Sequence, residues 1–83
     1  MNIEFGVTAR DRITGFSGVI TGRTEYISGC TQILLVPQID KDGKLVEGVW
    51  FDAQRLEVLV GLPQIILNNG ATPGPDRAPP RRI

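Results

Sequence analysis

The stretch from Trp50 to Val60 constrains the fold of this chain more than any other feature. It begins with the large apolar pair Trp50-Phe51, passes through Asp52-Ala53-Gln54-Arg55, and ends in Leu56-Glu57-Val58-Leu59-Val60. The middle part is too short for an α-helix and has the length of one 3₁₀ turn, with Asp52 placed to cap it. The stretch therefore predicts a strand, one helical turn and a strand, an arrangement with which a small β-barrel reverses its chain and completes its wall.

Three further strands are predicted before this stretch, each bounded by turn residues. They cover residues 5–13, 16–27 and 30–38, and residues 49–51 and 56–60 supply the fourth and fifth strands. Turn signals separate the early strands at Thr14-Gly15, at Ser28-Gly29 and at Asp40-Lys41-Asp42-Gly43. No segment shows helical periodicity, so the sequence predicts an all-β fold.

The apolar pattern indicates which strand faces form the core. Val7 and Ala9 lie on the predicted core side of the first strand. The adjacent residues Val19 and Ile20 require either a bulge or one side chain that faces away from the core. The unbroken run Ile33-Leu34-Leu35-Val36 is typical of a strand buried on both faces, in a central position or against a partner subunit.

The composition changes after residue 61, where five of the six prolines lie. We predict that residues 1–69 form the barrel with a C-terminal extension and that residues 70–83 form a flexible tail rich in proline and arginine. The apolar run Ile65-Ile66-Leu67 is the exception within this region. It is expected to pack on its own barrel or to add to the sheet of another subunit, and otherwise to be simply exposed.

Charge and composition restrict the class of function. The chain is 41% hydrophobic and 22% charged, as is typical of a soluble globular domain. Residues 1–61 carry six basic and eight acidic side chains, a net charge of −2, and residues 62–83 carry +2. An acidic body argues against general binding to a phosphate backbone, so nucleic acid is a minor alternative. The N-terminus lacks the basic and long apolar segments of a signal peptide, which predicts a cytoplasmic protein without a membrane partner.

The residues with reactive side chains do not form a catalytic pattern. There is no histidine to act as a general base near neutral pH. Cys30, the single cysteine, is expected to be a buried and inert thiol in a reducing compartment. Asp40, Asp42 and Glu47 are too closely spaced for a calcium loop and predict a solvated hairpin. The sequence therefore predicts no catalytic residues, no cofactor and no metal site, and an enzyme is the less favoured class.

Two aromatic residues are the best candidates for ligand binding. If Tyr26 and Trp50 share an outer face, they form a platform on which a base, a nucleotide or a proline-rich peptide could stack. Arg23, Gln32 and Arg10 are the polar candidates beside this platform. The alternative is that the aromatic residues, together with Phe16, fill the small core.

The pattern from Arg10 to Arg23, with Tyr26, Gly29-Cys30, Gln32, Trp50-Phe51-Asp52 and Arg55-Leu56-Glu57-Val58, resembles a group of small proteins carried by bacteriophages, prophages and other mobile elements. The resemblance covers about residues 5–60 and implies a mobile-element origin of the integron-cassette type. It brings no catalytic residues, because that group has no established activity. The first strand and its glycine-bearing turn also resemble SH3-like barrels, including the KOW-type opening, so a five-stranded SH3-like barrel is expected.

Type II dihydrofolate reductases of plasmids and integrons are similar in size and form a tetramer of SH3-like barrels. The nearest stretch to their pore motif is Gln32-Ile33-Leu34-Leu35-Val36-Pro37, which lacks the tyrosine and has different spacing. Only the idea of a homo-oligomeric barrel carries over. The leading prediction is a non-enzymatic module that self-associates through apolar strand surface. The alternatives are a protein that binds a small ligand, nucleotide or peptide, and a weak nucleic-acid binder that uses the tail arginines.

Overall fold

The structure is a computed structural model, and it describes residues 3–68. These residues form one antiparallel sheet of five strands in the order β4-β3-β2-β1-β5. The strands are β1 (Thr8–Asp11), β2 (Ser17–Glu25), β3 (Thr31–Val36), β4 (Val49–Asp52) and β5 (Leu56–Val58). A 3₁₀ turn, Ala53–Arg55, joins β4 to β5, and Asp52 caps it by accepting a hydrogen bond from the amide of Gln54. The five strands and the capped turn of the prediction are thus confirmed.

The sheet does not close into a complete barrel wall, which corrects the expectation that the last strand completes it. In the part of the chain that the structure describes, β4 and β5 are the two edges of the sheet. β4 has four residues and β5 has three, and the 3₁₀ turn carries the chain from one edge to the other. The first strand is also shorter than predicted, because Gly6 turns the chain with a φ of +88° before β1 begins. The predicted tail over residues 70–83 lies outside the described residues.

Val19 and Ile20 face opposite sides of the sheet by ordinary strand alternation, and a bulge in β2 follows them. The pairing of β2 with β3 shifts register between Ile20 and Gly22, so Thr21 is an extra residue on β2. Ile20 is buried in the core and Val19 is half-buried on the opposite face of the sheet. We call the face of the sheet that points away from the core the outer face.

The core lies on the concave side of the sheet and is small. Its buried members come from all five strands: Ala9, Ile20, Ile33, Leu35, Phe51 and Leu56. Phe16 packs against Phe51 with ring centroids 5.4 Å apart, so of the three candidate aromatic residues only Phe16 belongs to the core. Full burial of each large aliphatic side chain contributes about 1.5–3 kcal/mol to stability. Leu34 and Val36 are half-buried on the outer face, so β3 is covered fully on one face only.

One charged side chain is buried with the core. Asp11, at the end of β1, is fully buried and accepts hydrogen bonds from Nε and Nη2 of Arg55 at 2.8 and 2.7 Å. The amide and hydroxyl of Thr14 donate to the same carboxylate. The Arg55 guanidinium holds the pKa of Asp11 far below its usual range, although burial alone would raise it. Asp11 and Arg55 therefore fasten β1 to the 3₁₀ turn, and Arg55 also lies over the Phe51 ring, 5.4 Å from its centroid.

Candidate binding surfaces

Trp50 and Tyr26 are both exposed and lie outside the core. Trp50 on β4 pairs with Leu34 on β3, and Leu34 pairs with Gly22 on β2. A Cβ atom at Gly22 would lie 3.2 Å from Cη2 of Trp50, so the indole reaches across β3 onto β2. The Trp50 side chain is still 45% exposed. It therefore presents a broad aromatic surface to the solvent.

Tyr26 and Gln32 extend this surface towards the β2–β3 hairpin. Gln32 pairs with Thr24 on β2, which places both on the outer face with Trp50. Gln32 also pairs with Asp52 at the end of β4, but the Asp52 carboxylate is directed to the 3₁₀ turn. Tyr26 follows β2 two residues after Thr24, and its amide donates to the Cys30 carbonyl at 2.9 Å to close the hairpin. Its side chain is 49% exposed. We call the set Tyr26, Gln32, Leu34 and Trp50 the aromatic corner.

The two candidate arginines lie elsewhere. Arg23 pairs with Ile33, a buried core residue, and so projects on the concave side, where it forms an ion pair with Glu25 at 2.7 Å. Arg10 is on the outer face, but it is on β1 and forms a salt bridge with Glu57 of β5. Neither guanidinium lies at the aromatic corner. The two arginines thus lie away from Trp50, whereas Gln32 shares its face of the sheet.

Two acidic residues are close to Trp50 in sequence: Glu47 precedes β4 and Asp52 ends it. Among residues 3–68, the three ion pairs use Asp11, Glu25 and Glu57, and neither Glu47 nor Asp52 belongs to them. The Asp52 carboxylate accepts from the Gln54 amide at 2.9 Å, and its charge, after the hydrogen-bonded Asp11, helps to raise the pKa of Arg55. It is therefore directed to the 3₁₀ turn.

A shallow cavity of about 280 Å³ opens at the concave side, near the start of β3. Arg23, Cys30, Asp52 and Gln54 supply its polar lining, and Ile3 and Ile33 supply apolar surface. Cys30 is half-buried here rather than buried as predicted, because it follows the exposed Gly29 at the hairpin and opens onto this cavity. Its Sγ lies 3.8 Å from Oδ2 of Asp52. No histidine is present in the sequence to activate the thiol.

A second surface is made of two neighbouring grooves. The first, of about 370 Å³, lies on the outer face where β5, β1, β2 and β3 meet, and Leu59, Val19, Val36, Pro37 and Leu62 line it. The second, of about 180 Å³, lies where residues 65–67 pass the start of the chain, and Phe5, Val19, Ile65 and Leu67 line it. Val19 belongs to both grooves, so the two form one continuous surface. We call it the apolar face: Phe5, Val19, Val36, Pro37, Leu59, Leu62, Ile65 and Leu67.

The C-terminal segment, residues 64–67, lies against its own sheet but does not bury its side chains. The Ile65 amide donates to the Gly6 carbonyl at 2.9 Å, and Nε2 of Gln64 donates to the Phe5 carbonyl at 2.8 Å. Nevertheless Ile65, Ile66 and Leu67 are all exposed. Of the two alternatives for this run, the backbone attachment agrees with packing on the same barrel, whereas the exposed side chains leave apolar surface free for another contact.

No charged residue lines either groove of the apolar face. The chain is 22% charged, and its charges lie instead around the rim of the sheet, as in the Arg10–Glu57 pair. Depletion of charge with retention of large apolar side chains is characteristic of the centre of protein–protein interfaces. This surface was not predicted as a unit, because its residues come from both ends of the chain and meet only through strand pairing.

No group of three or more His, Cys, Asp or Glu side chains among residues 3–68 is arranged to hold a metal ion. No helix in that range has the length and apolar character needed to span a membrane. Asp40, one of the acidic candidates for a metal, accepts instead from the amides of Asp42 and Lys44 and so shapes the predicted hairpin turn.

Comparisons of the chain with models of known protein families, with curated proteins and with solved structures found no match.

Proposed function

We propose that this protein is a non-enzymatic binding module that self-associates through its apolar face. The observation that carries the proposal is a continuous surface of two grooves that no charged residue lines. Contiguous exposed apolar surface on a small domain marks an interaction site. The partner proposed is a second copy of the chain, because the same surface offers both grooves and protruding side chains such as Leu67, which is 90% exposed.

The small core gives a physical reason for self-association. Six residues form the buried hydrophobic core of the described part, and a chain of 83 residues buries a smaller fraction of its surface than a larger domain does. Burial of Ile65, Ile66 and Leu67 against a second copy adds apolar area that the monomer leaves in water. In an interface related by a two-fold axis, each contact would occur twice, because the groove of each copy receives the side chains of the other.

We also propose that the sheet is an SH3-like, partly open barrel. The support is the strand order β4-β3-β2-β1-β5, with a single 3₁₀ turn between β4 and β5. The Asp11–Arg55 hydrogen bonds bring the end of β1 onto that turn and curve the sheet around its core. The origin in a mobile element stays a prediction from the resemblance, and the genes that flank the coding sequence would test it.

The oligomeric state tests the functional proposal. Native mass spectrometry and light scattering should give a defined multiple of the 9.1 kDa chain mass, with a monomer fraction that rises on dilution. Leu67→Glu places a charge in the interface and should weaken association by about tenfold or more, since burial of an unpaired polar group costs more than 1.4 kcal/mol. A wild-type protein that stays at 9.1 kDa at high concentration would contradict the proposal.

Leu45→Glu is the matched control. Leu45 is also 90% exposed, but it lies in the β3–β4 connection and lines neither groove of the apolar face. Its replacement should leave both the fold and the oligomeric state unchanged. Equal dissociation of the two variants would assign the effect to added net charge and not to the apolar face.

A further inference from the structure

We propose that two copies of the chain stack outer face on outer face, with Trp50 buried between them as an anchor of the interface. This contact rests on the self-association proposed above, and it adds to that interface a part of the sheet that lies beside the apolar face. The register of the strands supports it, because pairing places Trp50 directly next to the larger groove.

One row of paired residues across the sheet lines the larger groove. Val36 pairs with Val19, and Val19 pairs with Thr8. The Leu59 amide donates to the Thr8 carbonyl at 2.9 Å, which adds Leu59 to the row. All four residues line the groove, and we call them the groove row. The proposed interface therefore already includes one row of the outer face.

Trp50 belongs to the next row of the same face. It pairs with Leu34, and Leu34 pairs with Gly22, so these three residues form the Trp50 row. A Cβ atom added at Gly48 would lie 2.9 Å from Cδ1 of Leu34 and 3.0 Å from Cγ2 of Val36. The side chains of the two rows thus meet beside Gly48. The groove row and the Trp50 row therefore form one continuous surface.

The apolar side chains of this surface are only partly covered by their own sheet. The Trp50 indole reaches Gly22 and is still 45% exposed, and Leu34 and Val36 are half-buried. Stacked sheets pack about 10 Å apart with interdigitated side chains, so a second sheet would complete their burial. Tryptophan is enriched among the residues that dominate the binding energy of protein interfaces, which makes Trp50 the expected anchor.

Polar residues lie on both sides of the two apolar rows. Gln32 pairs with Thr24 beyond the Trp50 row, and Arg10 pairs with Ser17 and Glu57 beyond the groove row. An apolar centre within a polar rim is the usual anatomy of a protein–protein interface. A second copy fits this surface, because a two-fold axis through its centre would bring the same two rows of each copy together.

The fluorescence of Trp50, the single tryptophan of the chain, gives a direct test. Acrylamide quenching is measured over a dilution series of the full chain, with light scattering in parallel. As the oligomer forms, the quenching constant should fall about twofold or more, because an interface that excludes water also excludes the quencher. An oligomer that leaves Trp50 quenching unchanged would overturn this contact and leave the apolar face in place. A chain that stays monomeric would overturn both.

A matched pair of variants locates the contact. Trp50→Lys and Tyr26→Lys each replace an exposed aromatic side chain by a charged one, but Tyr26 follows β2 and lies outside both rows. Trp50→Lys should weaken association by about tenfold or more, because it buries an unpaired charge, and Tyr26→Lys should leave association unchanged. Circular dichroism and thermal melting check the fold of each variant. Equal effects of the two on association would overturn the proposal, and the wild-type quenching series decides it if Trp50→Lys does not fold.

Discussion

At the scale of single residues, the Asp11–Arg55 pair is the most consequential contact in the structure. A fully buried carboxylate is costly unless its hydrogen bonds are satisfied, and Asp11 receives them from Arg55 and Thr14. The pair joins residues 44 positions apart, so it fixes where the 3₁₀ turn rests on β1. Removal of one partner would leave the other charge without compensation, which is more harmful than loss of an exposed pair.

The depressed pKa of Asp11 predicts how stability depends on pH. Because its pKa is lower in the folded than in the unfolded state, its contribution is present above the ordinary aspartate pKa and is lost as the pH falls below that value. The free energy of unfolding should therefore fall between about pH 5 and pH 2. Asp11→Asn should be less stable than the wild type at pH 7, and the difference should shrink over that interval. Urea unfolding at a series of pH values measures it.

Glu57→Gln provides the comparison for this prediction. The Arg10–Glu57 salt bridge is exposed, and pairs of this kind contribute about 0–1 kcal/mol. Its loss should leave the pH profile close to that of the wild type. If Asp11→Asn and Glu57→Gln had the same small effect at pH 7, the buried pair would not be the fastening that its geometry indicates.

At the scale of elements, Gly6 holds the C-terminal segment to the sheet. Its amide donates to the Ile20 carbonyl at 2.8 Å and its carbonyl accepts from the Ile65 amide at 2.9 Å. Its φ of +88° suits glycine, and a Cβ atom there would overlap the carbonyl oxygen of Ile65. One residue thus links β2 to the segment that contributes Ile65 and Leu67 to the apolar face.

Gly6→Ala should detach this segment. The substitution combines the strain of a positive φ with a steric overlap, and we expect a loss of about 1–3 kcal/mol in stability. Hydrogen exchange at the Ile65 amide should accelerate, whereas the amides of β3 keep their protection. Gly15→Ala is the matched control, because Gly15 has a φ of +84° but no atom within 4 Å of its Cβ position. Similar Ile65 exchange in both variants would contradict the role given to Gly6.

The strands could be predicted from the sequence because local turn chemistry and alternation determine them. The cap by Asp52, the hairpin at Asp40 and the core position of Ala9 all follow such local rules. The unbroken run at residues 33–36 has no alternation, so strand pairing decides which of its faces is buried. The face on which Trp50 lies does not follow local rules either, because Val49-Trp50-Phe51 has no alternation and only pairing with Leu34 decides it. Arg23 and Tyr26 are three positions apart, so strand alternation directs their side chains to opposite faces of the sheet. The pairing of Arg23 with the buried Ile33 puts Arg23 on the core side, away from Trp50.

At the scale of the whole molecule, apolar burial and ion pairs are the two forces that could hold copies of the chain together. The apolar face has no charged lining residue. Salt screens the attraction between charges but leaves the burial of apolar area favourable, so ionic strength distinguishes the two.

We therefore expect added sodium chloride to leave the oligomer intact. Sedimentation velocity should give the same distribution of species from about 0.05 to 1 M salt, an interval over which the Debye length falls from more than 10 Å to about 3 Å. Dissociation of the oligomer by salt would show that ion pairs, and not the apolar face, hold the copies together.

The pairing of β1 with β5 has a consequence for the order of events during synthesis. β1 pairs with β2 on one side and with Leu56–Val58 of β5 on the other. The first strand therefore lacks one of its two neighbours until most of the chain has been made. Asp11 likewise waits for Arg55 before its burial is compensated. Contacts so distant in sequence are slow to form, because the chain entropy of a long loop is lost first. We therefore expect the β2–β3 hairpin to form before β5 pairs with β1.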